Sequence, residues 1–199
     1  RKPLRPPITL AMLTALKATL NLSDPFDWAM ASCAFFGMMH FGEVSVTSRT
    51  AFMPSKHLTR THAFFYLPSA KTACAGETQS VFLNEQGDLC PLAALCNLAQ
   101  VVPALSSDPL FSWQDSRGDI HPIAKIRALE CINAILIAWG WGTTFGHSFC
   151  IGSASFYLAK KAEPEIVWIT GHWKLLAYKT YIRAFKQISS QHLANAVSL

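Results

Sequence analysis

The segment HSFCIGSASFYLAKKAEPEIVWITGHWKLLAYKTY, residues 147–181, holds the residues best suited to chemistry in this chain. It opens with a histidine in a helix of small residues, passes through a Gly-His-Trp turn and ends on Tyr181, in a helix rich in Lys and Arg. A phenol with a pKa near ~10 is a poor nucleophile, but histidines and cations that converge on a phosphate make it an effective one. A tyrosine on an amphipathic helix is also an ordinary core residue with a solvated hydroxyl. This segment alone leaves both interpretations open.

The composition indicates a folded domain rather than a disordered chain. Of the 199 residues, 51% are hydrophobic and only 15% are charged, which excludes intrinsic disorder and exceeds the apolar content of a typical self-contained domain. Because the chain begins at Arg1, we expect an N-terminal domain outside it to cover the surplus apolar surface. No apolar run reaches the ~18 residues of a membrane span, and the start lacks the apolar core of a signal peptide. We expect an intracellular protein.

Six cysteines, none of them in a Cys-x-x-Cys pair, are spread along the chain. Several fall in apolar helical patterns, so we interpret them as reduced core residues. Their spacing favours neither a disulfide framework nor a zinc site. The sequence predicts no metal and no cofactor.

Positive charge is concentrated in two stretches without any acidic residue, 44–76 and 166–199, while the net charge is +5. Such stretches suit contact with a polyanion such as nucleic acid. Ordinary solvated faces remain the alternative. The predicted DNA-binding residues are Arg49, Lys56, Arg60, Lys174, Lys179 and Arg183.

Apolar periodicity predicts a mainly helical domain with one small β-hairpin, an α+β architecture. Lys71 is predicted near the tip of that hairpin, between strands at 61–68 and 78–83. Residues 107–113 are predicted as loop. The helices are predicted at 9–20, 25–41, 90–101, 122–139, 147–160, 164–170, 175–184 and 186–196, with Thr9 as a helix cap and with Ile123, Ile126, Leu129, Ile132, Ile135 and Leu136 on the apolar side of the 122–139 helix.

Five motifs follow one another in a fixed order: His-Phe-Gly-Glu at 40–43, a hairpin lysine, His-Ser-Phe-Cys at 147–150, Gly-His-Trp at 171–173, and a tyrosine nine residues after His172. In this order the chain resembles the catalytic domain of the tyrosine recombinases, or phage-type integrases, and most of all those of fungal mobile elements. The resemblance covers residues 1–199. It implies a mainly α DNA breaking-rejoining core, with a helical DNA-clamping domain expected outside this chain.

The resemblance also implies the chemistry. Members of this family cut double-stranded DNA without metal or cofactor, through a 3′-phosphotyrosyl intermediate, in DNA recombination and DNA integration. It implies a nuclear location and assembly as a homo-tetramer on paired sites. Residues 186–199 could exchange between subunits in such an assembly, or form a terminal helix that packs on its own domain.

Carried over position by position, the resemblance assigns a role to each motif. Tyr181 matches the nucleophile, Lys71 the lysine that protonates the leaving oxygen, and His147 the histidine of proton transfer. His172 matches the residue that holds the phosphate, beside Trp173 and Lys174, and Glu43 matches an acid three residues after the family's first arginine.

Both catalytic arginines of the family are replaced here, the first by His40 and the second by Cys150. Arginine offers a planar, permanently charged fork that neither replacement reproduces. We therefore expect impaired strand cleavage, with His40 compensating in part if Glu43 lies one helical turn away and favours its imidazolium. Two alternatives are a domain that binds DNA without chemistry and a protein-interaction domain whose weak DNA affinity is nearly independent of salt.

Overall fold

The computed structural model describes residues 6–23, 25–60, 65–67 and 79–171, with backbone alone for 21–23, 65–67 and 79–80. Helices dominate, as predicted. The elements are α1 (Leu10–Ser23), α2 (Pro25–Phe36), β1 (Phe65–Leu67), β2 (Gln79–Val81), a 3-10 turn (Gly87–Leu89), α3 (Pro91–Val101), β3 (Ser112–Gln114), β4 (Ile120–Pro122), α4 (Lys125–Ala138), α5 (Gly146–Ala159) and α6 (Pro164–Thr170).

Helix α1 begins where the sequence predicts, after Thr9. The Thr9 hydroxyl accepts a hydrogen bond from the Met12 amide at 3.3 Å, which satisfies one of the unpaired N–H groups of the first turn. Just before the cap, the amide of Ile8 donates to the carbonyl of Ser148 in α5 at 3.0 Å. The segment just before α1 is thereby fixed to the helix that carries two of the predicted site residues.

Helix α2 is the centre of the domain. Every residue from Asp27 to Phe36 is buried, and the helix packs against α1, α3 and α5. The ring of Phe36 forms edge-type contacts with Phe35 and with Phe156 of α5, and the Phe35 ring packs against Phe156 at a tilted angle. An almost continuously apolar sequence is what a helix enclosed on all sides requires.

The prediction that this helix continues to residue 41 was wrong. It ends at Phe36, and the next residue must be glycine, because a Cβ at Gly37 would lie 2.7 Å from a Val81 methyl and 2.8 Å from the Cys33 carbonyl oxygen. Met38 then takes a positive φ of 50°. Residues 40–43 consequently form a turn after the helix, not a continuation of it.

The predicted hairpin is confirmed in its pairing. Strands β1 and β2 are antiparallel, with Phe65 opposite Val81 and Leu67 opposite Gln79. Lys71 lies between them along the sequence, outside the described residues.

A second hairpin was missed. Strands β3 and β4 pair antiparallel, with Trp113 opposite His121, where the sequence predicted loop and the start of a helix. A turn closed by Asp115, whose carboxylate accepts the amides of Arg117 and Asp119, joins the strands. Helix α4 therefore begins at Lys125, later than predicted.

The buried apolar face of α4 includes fewer residues than predicted. Ile132 and Leu136 are fully buried, but Ile126 is 67% exposed. The late start of the helix places Ile126 in its first turn, on the solvent side, so its assignment to the apolar face was wrong.

Helices α5 and α6 agree with the predicted 147–160 and 164–170 to within a residue, whereas those at 175–184 and 186–196 lie outside the described residues. Among the described residues, Cys33, Cys90, Cys96 and Cys150 carry free thiols; Cys33 and Cys150 are buried as predicted, but Cys96 is exposed. Within the described ranges, no helix has both the length and the apolar character to cross a membrane.

Candidate functional site

The turn at 40–43 closes on itself. The amide of Glu43 donates to the His40 carbonyl at 2.7 Å, and the Glu43 carboxylate accepts the His40 amide at 2.7 Å. These two reciprocal bonds hold the backbone of His40 in place. Phe41 anchors the turn, since its ring is buried and lies 4.9 Å from that of Phe149 in α5.

Helix α5 brings the second part of the site to this turn. His147 and Cys150 are three residues apart and so share one helix face. The His40 and His147 rings lie nearly parallel, with centroids 4.9 Å apart and Nδ1 atoms 3.2 Å apart. The Cys150 sulfur is 3.0 Å from the Met39 carbonyl oxygen and 3.4 Å from His40 Nδ1. Residues distant in sequence thus form one cluster, in which the imidazoles are partly exposed and the thiol is fully buried.

Cys150 is a neutral group in this cluster. Burial raises the pKa of its thiol well above the ordinary value, and the nearby negative charge of Glu43 raises it further. The thiol donates to the Met39 carbonyl. At this position the protein therefore holds no positive charge with which to contact a phosphate.

Glu43 does not support His40 in the way the sequence suggested. Burial raises the pKa of Glu43 to about 7, although the amide donated by His40 lowers it. Its carboxylate bonds to the backbone of His40 within a turn, so the predicted contact across one helical turn was wrong. The role of Glu43 here is to position His40.

Lys125 is a cation near this cluster that the sequence analysis did not single out. Its amine lies 3.6 Å from where a Cβ on Gly146 would be and 4.0 Å from the same point on Gly42. Residues 44–46 dock on the start of α4, where Lys125 donates its amide to the Val46 carbonyl at 2.8 Å. Lys125 lies outside both acid-free basic stretches, because α4 carries acidic as well as basic residues.

Asn133 connects α4 to the loop that leads into α5. Its side-chain oxygen accepts the Thr144 amide at 2.7 Å and the Thr144 hydroxyl at 3.0 Å, and its side-chain amide donates to the Thr144 carbonyl at 3.1 Å. Thr144 is buried, so no solvent can replace these bonds. This connection sets where α5, and with it His147, begins.

Replacing Asn133 with Ala is expected to destabilise the domain by ~1–3 kcal/mol, because the buried Thr144 amide loses its acceptor. Urea unfolding monitored by circular dichroism measures the change. Asn133→Asp keeps the acceptor and is the matched control, expected to lose less. Equal stability of Asn133→Ala and the native chain would show that the connection contributes nothing.

Of the predicted DNA-binding residues, three are described. Lys56 is exposed. Arg49 is exposed too and holds its guanidinium 5.0 Å above the Trp113 ring. Arg60 is half-buried and donates to the Pro109 carbonyl at 3.3 Å and the Ser112 hydroxyl at 3.1 Å. Two of the three thus present their charge to solvent, while Arg60 also ties its segment to β3.

The remaining predicted site residues lie outside the described part of the chain. The structure brings together His40, Glu43, His147 and Cys150. The predicted residues outside the described ranges are Tyr181, Lys71, His172, Trp173, Lys174, Lys179 and Arg183.

Comparison with known structures identifies the fold. The chain is similar to XerA recombinase, with a TM-score of 0.64 and 14% sequence identity, over 96% of this chain and 65% of that one. At this identity the likeness shows the fold alone, and the mainly helical fold shared with that recombinase agrees with the predicted architecture. No protein-family model matches the sequence, and no curated protein matches it significantly.

Proposed function

We propose that this chain is a DNA-binding domain of tyrosine recombinase ancestry whose strand-cleaving chemistry is impaired. The observation that carries the proposal is the cluster of His40, His147 and Cys150. Residues that match the family's motifs but are about 110 positions apart in sequence meet in one place, on a fold similar to that of a recombinase. Origin from a fungal mobile element, nuclear location and tetramer formation belong to the same proposal and stay predictions.

The proposed reaction transfers a phosphoryl group between oxygens. The Tyr181 oxygen attacks the phosphorus, its phenolic proton passes to a base, and the bond to the 5′ oxygen breaks as Lys71 protonates that oxygen. Religation reverses these steps, so no oxidant or energy source is needed. The transition state gathers negative charge on the non-bridging oxygens, which fixed cations must stabilise.

The impairment follows from what occupies the cation positions. A neutral, buried thiol stands at one arginine position and a histidine at the other. Loss of one such donor typically costs ~100- to 1,000-fold in rate. In our proposal Lys125, near Gly146 and Gly42, supplies part of the missing charge, but a flexible point charge does not replace a bidentate fork.

Salt-dependent DNA binding tests the proposal directly. We expect the affinity of the chain for a duplex to fall linearly with the logarithm of salt concentration, and Lys56→Gln to reduce that slope by ~0.9, the value for one lost phosphate contact. Fluorescence anisotropy with a labelled duplex at several salt concentrations measures the slope.

Lys160→Gln is the matched control for this test, because Lys160 is also an exposed lysine but lies outside the predicted DNA-binding stretches. Its slope should equal that of the native chain. A native slope close to zero would contradict the proposed DNA binding, and equal reductions in both variants would contradict the predicted location.

A protein-interaction domain is a second candidate, and a specific observation favours it. At the end of α4, the rings of Trp139 and Trp141 stack 5.6 Å apart, and Trp139, Ile137 and Phe145 are each more than half exposed. Exposed apolar groups of this kind are typical of interaction surfaces. This candidate predicts weak, salt-insensitive DNA binding, so the same titration separates the two.

A further inference from the structure

We propose that His40, His147 and Cys150 form a binding site for a divalent transition-metal ion of the zinc class. This inference is independent of the proposed function, since it concerns the geometry of three side chains and requires no DNA. It also goes against the expectation from cysteine spacing, which favoured no zinc site.

Two of the three ligand-atom separations, both measured from His40 Nδ1, are close to those of a tetrahedral zinc site. With Zn–N near ~2.0 Å and Zn–S near ~2.3 Å, tetrahedral angles put two nitrogens ~3.3 Å apart and a nitrogen and a sulfur ~3.5 Å apart. The observed separations are 3.2 Å between the two Nδ1 atoms and 3.4 Å between His40 Nδ1 and the Cys150 sulfur. All three ligand atoms lie within 4.8 Å of one another.

The ligand types fit as well. Two imidazole nitrogens with one thiolate form the set that borderline-soft ions prefer, whereas Mg²⁺ and Ca²⁺ take oxygen ligands. On binding, the thiol proton leaves to solvent and the two Nδ1 atoms carry lone pairs. Because the imidazole planes are only 10° apart, a ring must rotate about its Cβ–Cγ bond to direct both lone pairs at one ion.

The backbone on both sides of the cluster is held in place. His147 and Cys150 are fixed by α5, and His40 is fixed by the reciprocal bonds of its turn with Glu43. Such preorganisation limits the ordering needed when an ion binds. The partly exposed imidazoles give the ion an approach from solvent, and three protein ligands leave a fourth position for water or another ligand.

The site could not be found from motif spacing. Zinc motifs are recognised by pairs of ligands a few residues apart on each side, and here one of the three ligands is 107 residues from its nearest partner along the chain. The His-x-x-Cys pair at 147–150 is the only local signal. This pair becomes part of a three-ligand cluster only because the turn at His40 docks on α5.

The test uses the full chain, reduced and stripped of metal by a chelator, and titrates it with Co²⁺ as a spectroscopic substitute for zinc. We expect a thiolate-to-cobalt charge-transfer band that saturates at one equivalent and is displaced by Zn²⁺. Cys150→Ser should remove the band. His147→Gln and His40→Gln should each weaken binding by on the order of 100-fold or more, beyond the ~10–100-fold lost with an outer-shell partner.

Matched controls are Cys96→Ser, which changes an exposed thiol far along the sequence from the cluster, and His57→Gln, which changes a histidine outside it. Both should bind as the native chain does. Circular dichroism of the metal-free proteins shows which variants fold. If Cys150→Ser does not fold, the two histidine variants, whose side chains are partly exposed, carry the test. Absence of the band in the native chain, or a band that persists in the folded cluster variants at native affinity, would overturn the site.

Discussion

Restoring both arginines, in the double variant His40→Arg/Cys150→Arg, is expected to raise the yield of covalent protein–DNA adduct by ~100-fold or more over the native chain. One stabilising donor of this kind is typically worth ~100- to 1,000-fold in rate, and two acting on one phosphate are not simply additive. The gain should depend on the phenol, so adding Tyr181→Phe should abolish the adduct.

The structure defines what the new side chains must do. Cys150 is fully buried and lies 3.4 Å from His40 Nδ1, so an arginine there must extend past the partly exposed side chain at position 40. The Met39 carbonyl, which now accepts the thiol, can accept a guanidinium N–H, and Glu43 supplies a nearby carboxylate. A buried guanidinium without such partners would be costly.

The measurement is a denaturing gel with nicked duplexes that trap the phosphotyrosyl intermediate, on a duplex that the chain binds. The matched control, His40→Lys/Cys150→Lys, adds the same charge without the planar fork and should gain less. A chelator is present throughout, because both double variants remove proposed metal ligands. If the arginine variant folds, binds the duplex and forms no more adduct than the native chain, the replaced arginines are not the defect.

The order of motifs predicted the fold, whereas the residues at which several helices and strands begin and end could not be predicted from the sequence. The apolar run after Pro25 correctly indicated a buried helix, but that helix ends at Phe36, just before Gly37, where Val81 of β2 packs closely. That contact joins segments more than 40 residues apart, so the periodicity of apolar residues along the sequence cannot predict it. The consequence is not small, because it places His40 and Glu43 in a turn.

The second hairpin was missed for a related reason. Strands β3 and β4 have three residues each, too short for alternation to be distinguished from loop. What forms the hairpin is the Asp115 carboxylate, which accepts two amides of the turn and contacts His121 at 3.1 Å. A turn that is held by side-chain hydrogen bonds can be recognised only when the groups that accept and donate those bonds are known.

For the candidate site, too, the sequence predicted some properties and not others. Which residues belong together was predictable from the resemblance, and the structure brings His40, Glu43, His147 and Cys150 into contact. How they interact was not predictable: the carboxylate bonds to backbone, burial raises the pKa of the thiol, and three possible ligand atoms lie within 4.8 Å of one another. These properties arise from burial and docking, which only the folded chain supplies.

Replacing Gly152 with Ala is the other change with a large expected effect, a net loss of ~2–3 kcal/mol in the free energy of unfolding. A Cβ at this position would lie 2.0 Å from the Ile8 carbonyl oxygen and 2.9 Å from its carbonyl carbon. The atoms in conflict are backbone, and Ile8 is held against α5 by its amide bond to the Ser148 carbonyl. Ala favours a helix over Gly by only ~1 kcal/mol, which does not offset the clash.

Gly42→Ala is the matched control. The nearest atom to a Cβ there is the Lys125 amine at 4.0 Å, so its stability should stay within ~0.5 kcal/mol of the native value. Urea unfolding of both variants measures the difference, and adding Ile8→Ala should not rescue Gly152→Ala, because the clash involves the main chain of residue 8. If Gly152→Ala is as stable as Gly42→Ala, the segment at Ile8 does not pack on α5 as described. If it is destabilised, still folds without urea and also loses the cobalt band, the small-residue face of α5 couples the segment at Ile8 to the cluster at His147 and Cys150.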